Sequence, residues 1–218
     1  MHYMMHIANR AKLSKNGTYA FSEYNINNIP YLDVFIEPEI NHKLTNGCKN
    51  VLSRSLSSRN QYRFGEQGLL ISTLDNSIFY EMQGTYESVF VDTKYNSYIQ
   101  NRQTVDLIFI HNHPNNSNFS AADIRHLYTD KSLLGIIAVG NRHSIHIILS
   151  NGNCSNIENY ISNYKINYAK KNNLDLGKLS KKEIKRIEDS AVPYILNNTN
   201  KFNIEYYKYN RRKSDEKK

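Results

Sequence analysis

Two histidines flank a single asparagine in His111-Asn112-His113, and Ser120 and Asp123 follow with two residues between them. Imidazole nitrogens and carboxylate oxygens are the donors from which catalytic zinc sites are built, with three protein ligands and an open fourth position. Local structure must bring these donors together. Residues 105–110 are β-branched or otherwise apolar apart from Asp106, which suits a buried strand. Residues two apart in a strand share a face, so His111 and His113 project together. Pro114 cannot continue a ladder and ends the strand. Residues 115–118 form a polar turn, and Ser120 opens an amphipathic helix that places Asp123 one turn in, facing back toward the histidines. His-x-His alone is a weak signal, since paired strand histidines are commonly satisfied by ordinary hydrogen bonds. His-x-His-Pro at a strand end with Ser-x-x-Asp at a helix start is a much stronger one.

At these residues the chain resembles the JAMM (MPN-plus, JAB-domain) zinc metalloprotease family, and within it the bacterial RadC-like and phage-type branches. The family pattern is an upstream Glu, then His-x-His, a short spacer and Ser-x-x-Asp. Here it reads His111-Asn112-His113-Pro114-Asn115-Asn116-Ser117-Asn118-Phe119-Ser120-Ala121-Ala122-Asp123, with a spacer one residue shorter than in the eukaryotic deubiquitinating members. The resemblance implies that His111, His113 and Asp123 bind one zinc ion per chain and that Ser120 steadies a tetrahedral intermediate. It also implies a JAB/MPN (cytidine-deaminase-like) architecture, and it covers residues 38–150, roughly half of the chain. The contiguous letters His-Asn-His do not indicate an HNH nuclease, whose name refers to dispersed residues.

Glu66 lies just before the apolar run Leu69-Leu70-Ile71. In the family the catalytic Glu precedes such a strand beside the metal, so the resemblance makes Glu66 the general base that later protonates the leaving amine. Read without the resemblance, Glu66 is an exposed loop carboxylate. Glu81 and Glu87 are alternatives, both later than the pattern prefers.

The flanking elements follow from periodicity. Pro38 and Glu39 start a helix carrying Ile40, Leu44, Cys48, Val51, Leu52 and Leu56 on one stripe, weakened but not ended by Gly47, with residues 53–60 as its polar exit. Residues 65–72 and 78–80 read as a hairpin around Asp75-Asn76-Ser77, and residues 86–92 continue the sheet. Residues 95–102 read as a short helix. Residues 133–139 and 144–149 read as strands joined by Asn141-Arg142. His126 is assigned to a helix surface, and His143 and His146 to ordinary structural roles. The predicted fold class is α/β: a mixed β-sheet flanked by helices, with a C-terminal helical extension. Residues 1–37 are read as an N-terminal extension, with a loop or weak hairpin at 15–28. Residues 38–150 form the metal-binding catalytic domain, 151–200 a basic helical extension, and 201–218 a basic, flexible tail. In the extension, Ser180-Lys181-Lys182-Glu183 is a capping box, and Pro193 kinks or ends the helix that follows.

The formal net charge is +8, with the excess concentrated at residues 165–186 and in the tail, outside the expected catalytic domain. That raises nucleic acid as a secondary partner beside a peptide or protein substrate, although no helix-turn-helix or finger pattern accompanies it. Cys48 and Cys154 are far apart and form no Cys-x-x-Cys pair, so neither a disulfide framework nor a structural zinc site is suggested, which suits a reducing cytoplasm. Residues 1–14 lack the apolar core of a signal peptide, and no apolar run approaches membrane-spanning length. The expected function is zinc-dependent hydrolysis of a peptide or isopeptide bond. The alternatives are a RadC-like protein linked to DNA processing or mobile elements, and a non-catalytic metal-stabilised interaction module. A zinc nucleoside deaminase fits poorly, because the Cys-x-x-Cys ligands and the His-x-Glu signature are missing.

Overall fold

A computed structural model describes residues 21–58, 64–142, 144–150, 154 and 156–210. Its centre is a six-stranded mixed sheet in the order β2-β1-β3-β4-β5-β6. The strands are β1 Gln67–Ser72, β2 Phe79–Gln83, β3 Leu107–His113, β4 Leu133–Gly140, β5 Ser144–Ser150 and β6 Ile204–Asn210. Only β3 and β4 run parallel; every other neighbouring pair is antiparallel. A parallel pair needs a crossover, and helix α4, Ala121–Thr129, supplies it. The most apolar strands, β3 and β4, are therefore central.

Strand parity divides the core into two layers. Ile108 and Ile110 of β3, with Ile137 and Val139 of β4, pack under helix α2, Pro38–Ser57, through Leu44, Cys48, Val51 and Leu52. Leu107 and Phe109, with Ile136 and Ala138, face the opposite layer. That layer holds α3 (Thr93–Gln100), α4, α5 (Ile157–Lys171) and α7 (Val192–Asn197); α6 (Lys181–Asp189) packs on α4 and α5. Gly47 marks the close approach of α2 to the sheet: a Cβ there would lie 2.5 Å from Ile110 Cδ1. Asp106, the polar break in the apolar run, is buried but not unpaired. It accepts from Arg102 at 2.5 Å twice, from Thr104 Oγ1 at 2.6 Å, and from Ser72.

Several expectations are corrected. Residues 86–92 do not extend the sheet; they form a loop tied by the single bridge Gly84↔Val89. The stretch expected to be a loop or hairpin contains a short helix, α1 (Glu23–Asn27). Phe21, Ile26, Ile29 and Leu32 are buried in the α2 layer, so this part of the extension belongs to the core. Helix α2 runs on to Ser57 with Ser55 fully buried, rather than exiting at residue 53. Residues 204–210, assigned to a flexible tail, are strand β6, paired along its length with β5. Ile204, Tyr206, Tyr207 and Tyr209, all of high strand propensity, outweigh the flanking charge. Of the two outcomes expected at Pro193, the structure shows the early end: α6 stops at Asp189, and Pro193 sits in the first turn of α7, where its missing N–H costs no helix bond. The remaining N-terminal and tail expectations, for residues 1–20 and 211–218, and that for His143, lie outside the described residues. No described helix is long and apolar enough to cross a membrane, and neither Cys48 nor Cys154 forms a disulfide among the described residues.

Candidate metal centre

The C-terminal end of β3 builds the centre. His111 and His113 share the face of Phe109, whose ring stacks on His111 at 5.0 Å. Their neighbours across the sheet are small: His111 pairs with Gly68 and Ala138, and His113 with Gly140. That leaves room for two imidazoles to lean together. After Pro114 the chain turns through Asn116 at φ 57, and Ser117 returns beneath His113. The Ser117 carbonyl accepts from His113 Nδ1 at 3.0 Å, with its hydroxyl 3.1 Å away. A proton fixed on Nδ1 leaves Nε2 as a lone-pair donor.

Helix α4 brings in the carboxylate. Ser120 caps it, and a capping box joins Ser120 and Asp123 in both directions. Ser120 N and Oγ each donate to Asp123 Oδ2 at 2.7 Å, and Asp123 N donates back to Ser120 Oγ at 3.2 Å. Asp123 Oδ1 lies 3.3 Å from His111 Nε2, and Oδ2 lies 3.5 Å from His113 Nε2. The two Nε2 atoms are 2.7 Å apart. One donor atom from each residue falls within 4.8 Å of the others, so the group could hold a metal ion.

The chemistry of the donor set fits a cation. With His113 protonated on Nδ1, its Nε2 and the Asp123 oxygen are two acceptors that converge on the His111 Nε2, an arrangement that needs a proton or a metal ion between them. A proton meets the need in part. Burial works against an imidazolium at His113, but Asp123 and Glu66 outweigh it and raise the ring to about 9. Burial likewise works against ionised Asp123, yet the two imidazoles hold it well below the usual carboxylate range. His111 Nδ1 is buried without a hydrogen-bond partner, so this ring, unlike His113, has no outer contact to fix its tautomer.

The three candidate glutamates are separated by geometry. Glu66 is buried beside the cluster and lines the same cleft as His111, His113, Ser120 and Asp123. Carrying the Gly68↔His111 register two residues further sets Glu66 against His113. Burial pushes its carboxyl up, partly offset by the neighbouring imidazoles. Glu81 pairs with Leu69, on the α2 face, where it accepts from Asn50 Nδ2 at 2.9 Å and meets Arg54 at 3.5 Å; it is turned away from the cluster. Glu87 is exposed on the cleft wall.

Residues without an assigned role in the sequence reading complete the setting. Asn112 points to the α2 face and grips the backbone on both sides of Glu66. Its Oδ1 accepts from Gln67 N at 2.7 Å, and its Nδ2 donates to Gly65 O at 3.1 Å. The motif letters showed only its position, because its partners lie 45 and 47 residues away in sequence. The cleft, about 390 Å³, runs between the 86–91 loop and helix α6, which contributes Lys182, Lys185 and Arg186. His126 also lines it, paired to Asp130 at 3.1 Å. His146 has the ordinary structural role expected of it: buried, with Tyr206 Oη at 2.7 Å and Ser144 Oγ at 2.9 Å. Comparison of the chain with protein-family models, curated proteins and solved structures finds no match.

Proposed function

We propose that the chain is a zinc-dependent hydrolase of peptide or isopeptide bonds, of the JAMM type and with JAB/MPN architecture. The observation that carries this reading is the convergence of His111, His113 and Asp123 with the buried Glu66 in one cleft. Two imidazoles and one carboxylate form a donor set suited to zinc and leave a coordination position for water. Zinc, when bound, lowers the pKa of its water toward neutrality and polarises a carbonyl oxygen.

The protein residues do the rest. Glu66 takes the proton of the attacking water on its carboxylate and returns it to the leaving nitrogen; its raised affinity for protons suits both halves of that transfer. Ser117 holds the His113 ring through Nδ1. Ser120 holds Asp123 through two hydrogen bonds, which makes it a positioning residue. Its implied contact with the developing oxyanion requires the hydroxyl to turn away from Asp123 Oδ2.

The test is metal content, followed by hydrolysis. Wild type reconstituted with zinc binds about one ion per chain, His113→Ala and Asp123→Ala bind none, and Glu66→Gln keeps the ion but loses amide hydrolysis. A wild type that takes up no zinc overturns the hydrolase reading and leaves a non-catalytic interaction module in front. A RadC-like role in DNA processing has one supporting observation, the basic residues of α6 at the cleft; salt-dependent binding of an oligonucleotide tests it.

A further inference from the structure

Helix α6 was expected to lie outside the catalytic domain, yet it forms one wall of the metal-site cleft. Two sets of contacts fasten it there. Asp189 Oδ1 accepts from Ala121 N at 2.8 Å, at the first turn of the helix that carries Asp123. Glu188, buried at the end of α6, accepts from Arg125 of α4 at 2.8 Å and from Lys165 of α5 at 2.7 Å. Arg125 also reaches Glu158 of α5 at 2.7 Å. The helix is thus positioned by the same element that positions a metal ligand.

Its apolar and anionic anchors leave a separate stripe free. Lys182, Lys185 and Arg186 stand at i, i+3 and i+4, so they share one helical face, spread over about 6 Å. All three are exposed, line the cleft, and form no ion pair among the described residues. The remaining charges of the cleft are already engaged. Asp189 caps Ala121 N, and Asp123 and Glu66 face the histidine cluster. Glu87, on the opposite wall, is the one cleft carboxylate with no partner of that kind. Lys185 acts on Glu66 and Arg186 on Glu183 through space without closing an ion pair, so the stripe keeps a net positive charge and an electrostatic preference for an anion.

We infer that the cleft is built for an acidic peptide, with one or two carboxylate side chains of the substrate held by Lys182, Lys185 and Arg186 while the amide bond lies over His111, His113 and Glu66. The peptide part rests on the hydrolase reading above; the preference for an anion does not. A peptide fits better than a nucleic-acid backbone, because the cationic stripe spans little more than one helical turn and can hold one or two carboxylates but no run of phosphates. A phosphate chain needs a continuous basic track.

Fluorescence anisotropy with the full chain tests this, using labelled oligoglutamate, oligoglutamine and single-stranded oligothymidylate as probes. Oligoglutamate should bind at least about ten-fold more tightly than oligoglutamine, and the advantage should shrink with added salt. Replacing Lys182, Lys185 and Arg186 together by glutamine should weaken oligoglutamate by about ten-fold or more with zinc content and melting temperature unchanged. His113→Ala should lose its zinc and still bind oligoglutamate, which separates this assignment from the metal reading: a wild type that takes up no zinc yet keeps the preference for oligoglutamate sinks only the latter. The inference is overturned if the triple variant binds as wild type does. It is also overturned if binding disappears in His113→Ala alone, which would place the carboxylate on the metal. Oligothymidylate binding more tightly than oligoglutamate would overturn the choice of peptide.

Discussion

The middle residue of His111-Asn112-His113 is expected to matter as much to the architecture of the centre as the histidines do to its metal. Asn112 is fully buried, and its amide makes contacts on three sides. Oδ1 accepts from Gln67 N at 2.7 Å, while Nδ2 donates to Gly65 O at 3.1 Å, Asn141 Oδ1 at 2.9 Å and Ser55 Oγ at 3.4 Å. Asn112→Ala strands the buried Gln67 N–H and empties a small polar cavity. A buried group left without its partner costs about 1–3 kcal/mol, and the lost volume adds to that. The expected destabilisation is therefore about 3 kcal/mol, read from urea unfolding of wild type and variant. Asn112→Asp is the sharper variant. It keeps the acceptor for Gln67 N–H but sets a carboxylate oxygen against Gly65 O and Asn141 Oδ1, so at neutral pH it should lose at least as much as alanine.

Because Asn112 faces α2 and the imidazoles face α4, either variant that remains folded should keep its zinc. Amide exchange at Gln67 should accelerate, since that N–H has lost its acceptor. A change in unfolding free energy below about 1 kcal/mol for Asn112→Ala would refute the clamp. So would loss of zinc from a folded variant, which would mean that the two faces of β3 are not independent.

Ser120→Ala removes the cap of α4 and the hydroxyl bond to Asp123. It should cost about 1 kcal/mol of stability and about ten-fold in zinc affinity, measured by melting and by chelator competition, with Ser120→Thr largely restoring both. His146 supplies a pH signature. Burial, then the charges of Lys208 and His113, hold its ring down to about 4 from 6.5, and its nearest contacts are Tyr206, Ser144 and Phe119. A histidine with a depressed folded pKa contributes stability above its unfolded pKa and loses it as pH falls toward the folded value. Its share, on the order of 2 kcal/mol, should therefore vanish between about pH 6.5 and 4. Unfolding titrations of His146→Gln should show a flatter slope across that window, and an unchanged slope would show that the ring does not remain neutral.

What could be read from the sequence was whatever depends on short range. Strand parity placed His111 and His113 on one face, Ser120 signalled the start of α4, and the Ser180–Glu183 box signalled α6. In each case the determining partner lies within four residues, so residue type and spacing carry the information. Glu66, Glu81 and Glu87 could not be ranked the same way. Whether a carboxylate faces the cluster depends on the register of β1 against β2 and β3, and a shift of one residue reverses its face. The basic residues of α6 show the larger gap. Their helix, their spacing and their charge were all legible, but composition suggested a peripheral appendage. The contacts that bring them to the His111-His113-Asp123 cluster are Asp189 to Ala121 across 68 residues and Glu188 to Arg125 across 63. No local pattern encodes such a contact, and a charge cluster acquires a function only when tertiary structure decides which surface it completes.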